Sequence, residues 1–226
     1  MEKWKDINIL YEDNHLLVVV KPFNLPTCPD ESKDNNLLDI LKEYIKVKYN
    51  KPGNVFLGLV HRLDRPVSGI MVFAKTSKAA ERLSKQIKDN KFNKTYYAVI
   101  KGNIKEKGTL SDYLVKDEKT HNSYITSKDK GKESILNYEI ISKKEDFNLV
   151  KINLVTGRHH QIRVQFSSRG YPLYGDHRYN REFINDNNTD IALIAKNLEL
   201  YHPVTKELLK FEIDLPKKYP WNIFQG

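Results

Sequence analysis

The sequence contains a single cysteine, Cys28, in 226 residues. One thiol cannot form an intramolecular disulfide, and small exported proteins usually carry cysteines in pairs. Long hydrophobic runs are also missing, since stretches such as 16–20 fall far short of the ~20 apolar residues that span a bilayer. The N-terminal residues show no basic segment followed by a long apolar stretch, as a secretory signal would. These absences predict a cytoplasmic protein with no membrane partner.

Several cofactor and metal motifs are absent as well. The sequence has no GxxxxGK[ST] loop and no GxGxxG fingerprint, so nucleotide and dinucleotide cofactors lack their usual binding loops. It has no CxxC pair, which excludes a zinc ribbon, and no GxSxG elbow of an α/β-hydrolase. We therefore expect neither a cofactor nor a metal.

Positive charge is in excess. Lysine and arginine total 38 against 29 acidic residues, for a net charge of +9 and a pI near 9.3. Polyanions attract such a surface, and nucleic acid is the commonest intracellular polyanion. The chain is also rich in lysine, asparagine and isoleucine throughout, so genome composition explains the charge equally well. Charge alone leaves the two explanations open.

Hydrophobic periodicity indicates an α+β fold. The pattern predicts helices over 36–48, 77–89 and 158–169, and strands over 7–12, 15–21, 57–63, 70–75, 94–102, 134–142, 147–155, 191–202 and 208–214. The strands arrive in hairpins rather than in strict βαβ units, which favours a mixed, mostly antiparallel sheet flanked by helices and loops. No repeat, interdomain linker or separate accessory domain appears, so 1–226 is predicted to form a single domain.

The segment HRLDRPVSG, residues 61–69, concentrates charged groups between two apolar strands. A carboxylate at a strand-to-loop junction can be held rigidly, and flanking guanidinium groups keep it ionised by charge pairing. A purely structural ion pair fits the same spacing, because most buried Asp–Arg contacts are structural. Asp64 is thus a candidate catalytic group that the spacing alone does not establish.

The segment LVTGRHHQIRVQFSSRGYPLYGD, residues 154–176, is the second concentration of charge. Arg158, His159, His160 and Arg163 are expected at the start of the helix over 158–169, with several of them on one side. Helix N-termini attract anions, so these groups fit phosphate or a partner carboxylate. An amphipathic helix with solvated cations accounts for them equally well.

These two segments resemble motifs of the RluA-like family of RNA pseudouridine synthases. HRLDRPVSG resembles HRLDxxTSG, and the second segment resembles TGRTHQIRxH followed by GHPxxGD. NKTYYAVIKG is similar to the K-x-Y-x-A motif, and ILYEDNHLLVVVKPFNLPT is similar to a strand pair that runs into KPxG. The four motifs follow the family order over residues 9–179. The resemblance implies the pseudouridine synthase fold in a single catalytic domain with no separate accessory RNA-binding domain, and an isomerase activity on uridines of ribosomal or transfer RNA that needs no cofactor. Nothing in the sequence demands an oligomer, so a monomer is expected.

The resemblance also assigns residues. Asp64 matches the catalytic aspartate, which acts on a flipped-out uridine. Tyr96, rather than Tyr97, matches the active-site tyrosine because it stands two residues after the lysine of its motif. Arg163 matches the arginine that pairs with the aspartate.

The same comparison assigns RNA contacts to three further residues. Arg62 matches the arginine that enters the RNA stack in place of the target base, and Arg158 and His160 match positions with RNA or structural contacts. Within the two charge-rich segments the chain departs from the family motifs at four positions: Val67, His159, Gln165 and Tyr171. These departures affect expected substrate contacts more than catalysis.

Two other functions fit parts of the pattern. A non-catalytic RNA-binding or ribosome-assembly protein on this fold would share the basic surface, but it would not need a carboxylate that faces a polyanion. A metal-dependent hydrolase would draw on His61, Asp64, His159, His160, Asp176 and His177. Their spacing is not HExxH and provides no carboxylate-rich pair, so this alternative is disfavoured.

Overall fold

The computed structural model describes residues 3–186 and 188–225. By its contacts this chain forms two compact units, one of residues up to Lys94 with Ala195–Ile213, the other of Thr95–Ile194 with the residues from Asp214 onward. The predicted single domain over 1–226 includes Met1, Glu2, Asn187 and Gly226, which lie outside the described residues, and it stays a prediction. No helix in the described ranges is long and apolar enough to cross a membrane.

Within residues 3–186 and 188–225, eleven strands and three α-helices follow one another. They are β1 (Asn8–Glu12), β2 (Leu16–Lys21), α1 (Leu37–Lys48), β3 (Gly58–Leu59), β4 (Ser68–Ala74), α2 (Ser77–Lys88), β5 (Asn93–Lys101), β6 (Lys107–Lys116), β7 (Ser123–Thr126), β8 (Lys132–Lys144), β9 (Phe147–Leu154), α3 (Gln161–Ser167), β10 (Leu193–Tyr201) and β11 (Leu208–Glu212). This composition confirms the predicted α+β class.

In the first unit the strand order is β1-β2-β4-β10-β11, with the short β3 also on β4. β1 pairs antiparallel with β2, and β2 with β4. All residues of β4 are buried. The core of this unit lies between the sheet and α2, where Val18, Val72, Leu83 and Leu198 are all inaccessible to solvent. Burial of such aliphatic side chains contributes roughly 1.5–3 kcal/mol each.

Helices α1 and α2 begin at side-chain caps. Asn36 accepts a hydrogen bond from the Asp39 amide at 3.1 Å, and Thr76 accepts one from the Ala79 amide at 3.2 Å. Such caps satisfy backbone donors that have no partner within the helix. Each helix is followed by an asparagine with positive φ, Asn50 at 47° and Asn90 at 54°. These local signals explain why both predicted helices are confirmed to within a residue.

In the second unit the strand order is β5-β9-β8-β6-β7, and every one of these pairings is antiparallel. Helix α3 packs against β6 and β7. Its Phe166 meets the Tyr138 ring of β8 edge-on, with 5.5 Å between ring centroids. The two predicted hairpins, at 7–21 and 134–155, are both confirmed.

Two predicted elements were wrong in extent. The strand over 57–63 is reduced to Gly58–Leu59, because the rest of that segment forms the loop that leads into β4. The helix over 158–169 begins only at Gln161 and ends at Ser167, since His160 has a left-handed backbone with φ of 54°. Arg158 and His159 therefore precede the helix and His160 stands at its N-terminal boundary, so only Arg163 of the four basic groups lies on the helix itself.

Candidate active site

Asp64 lies in a tight turn between β3 and β4. Its carbonyl accepts a hydrogen bond from the Val67 amide at 3.0 Å, and the residue is half-buried. The turn runs directly into β4 through Gly69, whose φ is 134°. A Cβ at Gly69 would lie 2.4 Å from the Ala195 amide nitrogen, so only glycine lets β4 approach β10 this closely. The carboxylate is thus carried by a loop that is anchored in a buried strand.

The loop rests on Lys21, the last residue of β2. This side chain is fully buried, and its ammonium group donates to the carbonyls of Pro22, Leu25 and Arg65 at 2.9, 2.7 and 2.9 Å. Three acceptors satisfy all three donors of an ammonium group. Lys21 therefore ties the residue after Asp64 to the loop that follows β2.

Burial lowers the pKa of Lys21 from 10.5 to about 7; the negative charge of Asp64 opposes this shift, and the positive charge of Arg65 adds to it. A lysine with such a pKa is close to half-protonated at neutral pH. Lys21 was not among the predicted site residues. The sequence feature that could have identified Lys21 is the KPFNLPT segment, where a lysine ends a strand of otherwise apolar side chains.

Lys21 gives the stability of the protein a defined pH dependence. Between about pH 7 and 10.5 the unfolded chain holds this proton and the folded chain has lost it, so the free energy of unfolding rises with pH by at most ~1.4 kcal/mol per unit. A Lys21→Met variant lacks this contribution. We expect urea unfolding from pH 6 to 9 to show the wild type gaining stability relative to Lys21→Met, whereas the exposed control Lys46→Met follows the wild type. Parallel curves for wild type and Lys21→Met would contradict the assignment.

Other contacts hold the same loop on both sides of Asp64. The Thr27 hydroxyl donates to the Leu63 carbonyl at 2.8 Å, and the Ser68 hydroxyl donates to the Lys21 carbonyl at 2.7 Å. The Arg65 guanidinium group donates a hydrogen bond to the Asp34 carboxylate at 2.5 Å. The Arg62 side chain is exposed and makes no hydrogen bond to a described residue, so its guanidinium group faces solvent.

His61 is a structural residue of this loop. Its Nε2 accepts a hydrogen bond from the Val72 amide at 3.1 Å, and its ring meets Phe92 edge-on. Burial lowers the pKa of His61 well below its ordinary value, with Lys94 adding to the shift, so the ring is neutral. Among the described residues no three histidine, cysteine, aspartate or glutamate side chains are grouped to hold a metal ion. The geometry therefore offers no support for the metal-dependent hydrolase.

Tyr96 belongs to the second unit, in the middle of β5. It pairs with Ile152 of β9, and only 5% of it is exposed. Side chains alternate along a strand, so Tyr96 shares its face with Ala98 and Ile100, both fully buried. Tyr97 takes the other face and is half-buried. The site role of Tyr96 stays a prediction.

Arg163 is buried on α3 and held by Asp176. Its Nε and one terminal nitrogen donate to the two carboxylate oxygens at 2.8 and 2.7 Å. Only 3% of Arg163 and none of Asp176 is exposed. Asp176 also accepts from the amides of Arg178 and Tyr179. This bidentate pair fixes the plane of the guanidinium group, and the pairing with Asp64 that the resemblance implies stays a prediction.

His160 and Arg163 meet at Tyr179. A ring nitrogen of His160 lies 2.7 Å from the Tyr179 hydroxyl, and the Arg163 guanidinium lies 5.1 Å from the centre of the Tyr179 ring. Burial, with nearby Arg163 and His159, lowers the pKa of His160 to about 2, so its ring is neutral at physiological pH. Its predicted RNA contact stays a prediction; the geometry shows His160 supporting Tyr179. Tyr179 was not among the predicted site residues, and Asp176 was considered only for the disfavoured metal-dependent hydrolase.

The four residues that depart from the family motifs are buried or make defined contacts within the protein. His159 stacks on His160 with 3.7 Å between ring centroids and lies 2.9 Å from the Ser123 hydroxyl. Gln165 donates to Asp112 and to the Ser134 carbonyl, which ties α3 to β6 and β8. Tyr171 donates to the Asn103 carbonyl. Val67 is buried in the loop that carries Asp64, with 2% of it exposed.

Arg158 stands apart from this cluster. Its backbone amide donates to the Gln161 side chain at 2.9 Å, and its Nε donates to the Glu133 carbonyl at 2.9 Å. The residue is exposed, so its terminal nitrogens face solvent. This position suits a contact with a phosphate group, and the predicted RNA contact of Arg158 stays a prediction.

Comparisons with known proteins agree on one family. A family model described as RNA pseudouridylate synthase matches residues 15–168, a stretch that includes Asp64, Tyr96 and Arg163. An uncharacterized RNA pseudouridine synthase of Aquifex aeolicus is 33% identical over 223 residues, which cover 94% of this chain and 71% of that protein. Ribosomal large subunit pseudouridine synthase D of Pseudomonas aeruginosa is 33% identical over 234 residues, covering 96% and 70%.

Solved structures share the fold. The human RNA pseudouridylate synthase domain containing 4 superposes with a TM-score of 0.77, covering 93% of this chain and 89% of that one. The sequences are 23% identical, so this likeness concerns the fold alone.

Proposed function

Because this chain belongs to the RNA pseudouridylate synthase family, we propose that it isomerises uridines in ribosomal or transfer RNA with Asp64 as the catalytic carboxylate. The membership confirms the resemblance drawn from the four motifs. The name of the relative from Pseudomonas aeruginosa favours ribosomal RNA. The observation that carries the proposal is the anchored turn of Asp64. Thr27 and Lys21 hold this turn by hydrogen bonds to the backbone carbonyls of the residues just before and just after Asp64.

The chemistry fits the groups that the chain provides. The bond from ribose C1′ to uracil N1 breaks, the base turns, C1′ joins C5, the C5 proton leaves, and N1 takes up a proton. This sequence involves no redox change and no net hydrolysis, so we propose that the reaction requires no cofactor. The target lies within stacked RNA, and an enzyme reaches it by flipping the nucleotide out. Asp64 attacks C1′, attacks the base or removes the 2′ proton; the proposal covers all three routes.

The remaining roles follow the motif matches. We assign to Arg163 the pairing that keeps Asp64 ionised and oriented, and the fixed plane that Asp176 gives its guanidinium suits this role. Arg62, exposed on the same loop as Asp64, takes the place of the flipped base in the stack. Arg158 contacts phosphate, and His160 positions the Tyr179 ring. We further propose that the protein acts as a monomer in the cytoplasm.

Tritium release tests the activity directly. RNA transcripts labelled with tritium at uridine C5 lose the label to water when C5 bonds to the ribose. We expect the purified protein to release tritium from ribosomal RNA transcripts, with transfer RNA transcripts as the separate second substrate class. Release from either class identifies the substrate. Failure with both, under conditions where the protein binds RNA, would refute the proposed activity.

A tyrosine exchange separates the two contributions of Tyr96. We propose that its ring stacks on the flipped uracil while its hydroxyl carries a proton. Tyr96→Phe keeps the ring, so RNA affinity should persist while turnover falls by roughly 100-fold, the order expected for a lost proton-transfer group. Tyr97→Phe, one residue away on the opposite face, serves as the matched control and should stay near the wild-type rate. An unchanged rate in Tyr96→Phe would remove the hydroxyl from the mechanism.

A further inference from the structure

A groove of about 480 Å³ lies where the end of α2 faces the end of β10. One wall is the last turn of α2 with the residues that follow it, including Lys85 and Lys91. The other wall is Tyr201 and the turn between β10 and β11, including Lys206. We call this feature the α2 groove. The motif matches assign no role to any residue that lines it.

The α2 groove is strongly basic. Arg82, Lys85, Lys91 and Lys206 line it, against Asp89 as the one acidic lining residue. Arg82 and Lys206 both donate to the carbonyl of Pro203, at 2.8 and 2.9 Å. No ion pair to a carboxylate involves any of the four cations within the described ranges. The lining thus carries four positive charges against the one negative charge of Asp89, and an anionic ligand would offset the excess.

An aromatic ring stands among these cations. Tyr201 is 41% exposed, although it ends a strand whose inward side chains are buried. The Gln86 side chain holds its backbone on both sides, because it donates to the Tyr201 carbonyl at 2.7 Å and accepts from the Tyr201 amide at 2.9 Å. The ring is therefore presented from a fixed backbone, and an exposed ring beside lysines is the arrangement on which nucleic-acid bases stack.

The turn that forms the second wall is equally fixed. His202 lies 2.8 Å from the Asp13 carboxylate through Nε2, and its Nδ1 accepts from the Thr205 amide at 2.9 Å. The backbones of His202 and Glu207 are also hydrogen-bonded at 2.8 Å. Lys206 therefore projects from a preformed turn, and binding requires little ordering of the chain.

The groove lies far from the proposed catalytic loop within the same unit. Gly69, just after that loop, lies against Ala195, and the strand from Ala195 to Tyr201 then rises about 3.3 Å per residue, or roughly 20 Å in total. A stacked nucleic-acid strand advances about 3.4 Å per nucleotide, so this length corresponds to roughly six nucleotides. RNA at Asp64 therefore has to extend well beyond its target uridine to reach the groove.

We propose that the α2 groove binds a second segment of the substrate RNA, with Lys85 and Lys91 on its phosphates and one base stacked on Tyr201. This inference rests on the proposed function for the identity of the RNA. Phosphate contacts supply affinity without sequence preference, and a stacked base fixes the position of the strand. The groove would thereby add affinity for the RNA while the catalytic loop selects the uridine.

A pair of double variants tests the groove. In Lys85→Glu/Lys91→Glu both changed residues lie in the groove, at and beyond the end of α2. Lys46→Glu/Lys51→Glu is the matched control: Lys46 lies in the last turn of α1, and the amide of Lys51 bonds back to it much as that of Lys91 bonds to Gln86. Both doubles change the net charge equally and place acidic groups at a helix C-terminus. Binding of a fluorescent ribosomal RNA transcript is measured from 50 to 300 mM salt.

We expect the groove double to bind at least tenfold more weakly, with the slope of log affinity against log salt reduced by about 1.4–1.8, because two phosphate contacts are lost. The control double should keep a slope near that of the wild type. Equal behaviour of the two doubles would overturn the proposal, and it would leave the groove to some other ligand such as an acidic protein. Tyr201→Ala should weaken binding about tenfold and Tyr201→Phe should not.

If Lys85→Glu/Lys91→Glu fails to fold, RNA binding by Tyr201→Ala and Tyr201→Phe tests the proposed site instead. Activity is scored separately by tritium release. If the wild type releases tritium but the groove variants bind RNA as tightly as the wild type, the proposed function stands and the proposed RNA site in the α2 groove is wrong. If the wild type releases no tritium but the groove variants bind RNA more weakly than the control, the proposed function is wrong and the proposed RNA site in the α2 groove stands.

Discussion

Replacing Asp64 with asparagine is expected to abolish tritium release from C5-labelled RNA, lowering the rate by at least ~10³-fold. The amide has nearly the same shape as the carboxylate, so the turn closed by Val67 should survive. It has no negative charge and can act neither as a nucleophile nor as a base, and removal of such a group commonly costs two to four orders of magnitude or more. The carboxylate also repels RNA, so binding should persist or become tighter.

Asp146→Asn provides the control for this exchange. Asp146 is exposed, and its side chain makes no hydrogen bond to a described residue, so the same chemical change there should leave the rate unaltered. Rates and RNA affinities of the three proteins are compared on one ribosomal RNA transcript. Turnover by Asp64→Asn at the wild-type rate would remove Asp64 from the reaction. An inactive wild type that binds RNA well would favour the non-catalytic RNA-binding protein.

Asp176→Asn is expected to destabilise the protein by about 3–5 kcal/mol. The change leaves the Arg163 guanidinium buried without its carboxylate, and loss of one partner of a buried ion pair typically costs this much. The amides of Arg178 and Tyr179 lose a charged acceptor as well. For a chain of this length the melting temperature should fall by roughly 6–20 °C. Urea and thermal unfolding measure the loss.

Two further variants sharpen this second test. Glu199→Gln removes one partner of the exposed pair with Lys210 and should change stability by less than about 1 kcal/mol. The double variant Arg163→Met/Asp176→Leu replaces both buried charges with apolar groups and should recover much of the lost stability. If Arg163 orients Asp64, the double variant folds but releases tritium far more slowly than the wild type. A stable double variant with full activity would restrict Arg163 to a structural role.

Local patterns in the sequence were sufficient to predict most elements. The helices over 36–48 and 77–89 combine a cap, Asn36 or Thr76, with an apolar stripe, and both signals act within one or two turns. Hairpins such as 7–21 alternate apolar residues around a short turn, which is again a local property. Departures occurred where the backbone left its usual region, as at His160, because a left-handed residue is not encoded by hydrophobic periodicity.

The sequence by itself determined the α+β class, the two best-formed helices, the family motifs and the position of Asp64 in a loop before a buried strand. Only the tertiary structure decided that Lys21 is buried beneath that loop, that Arg163 is gripped by Asp176, and that Tyr201 stands among lysines. The physical reason is range. Caps, turns and apolar stripes act between residues a few positions apart, whereas the partners of a buried charge come from distant segments that packing alone brings together.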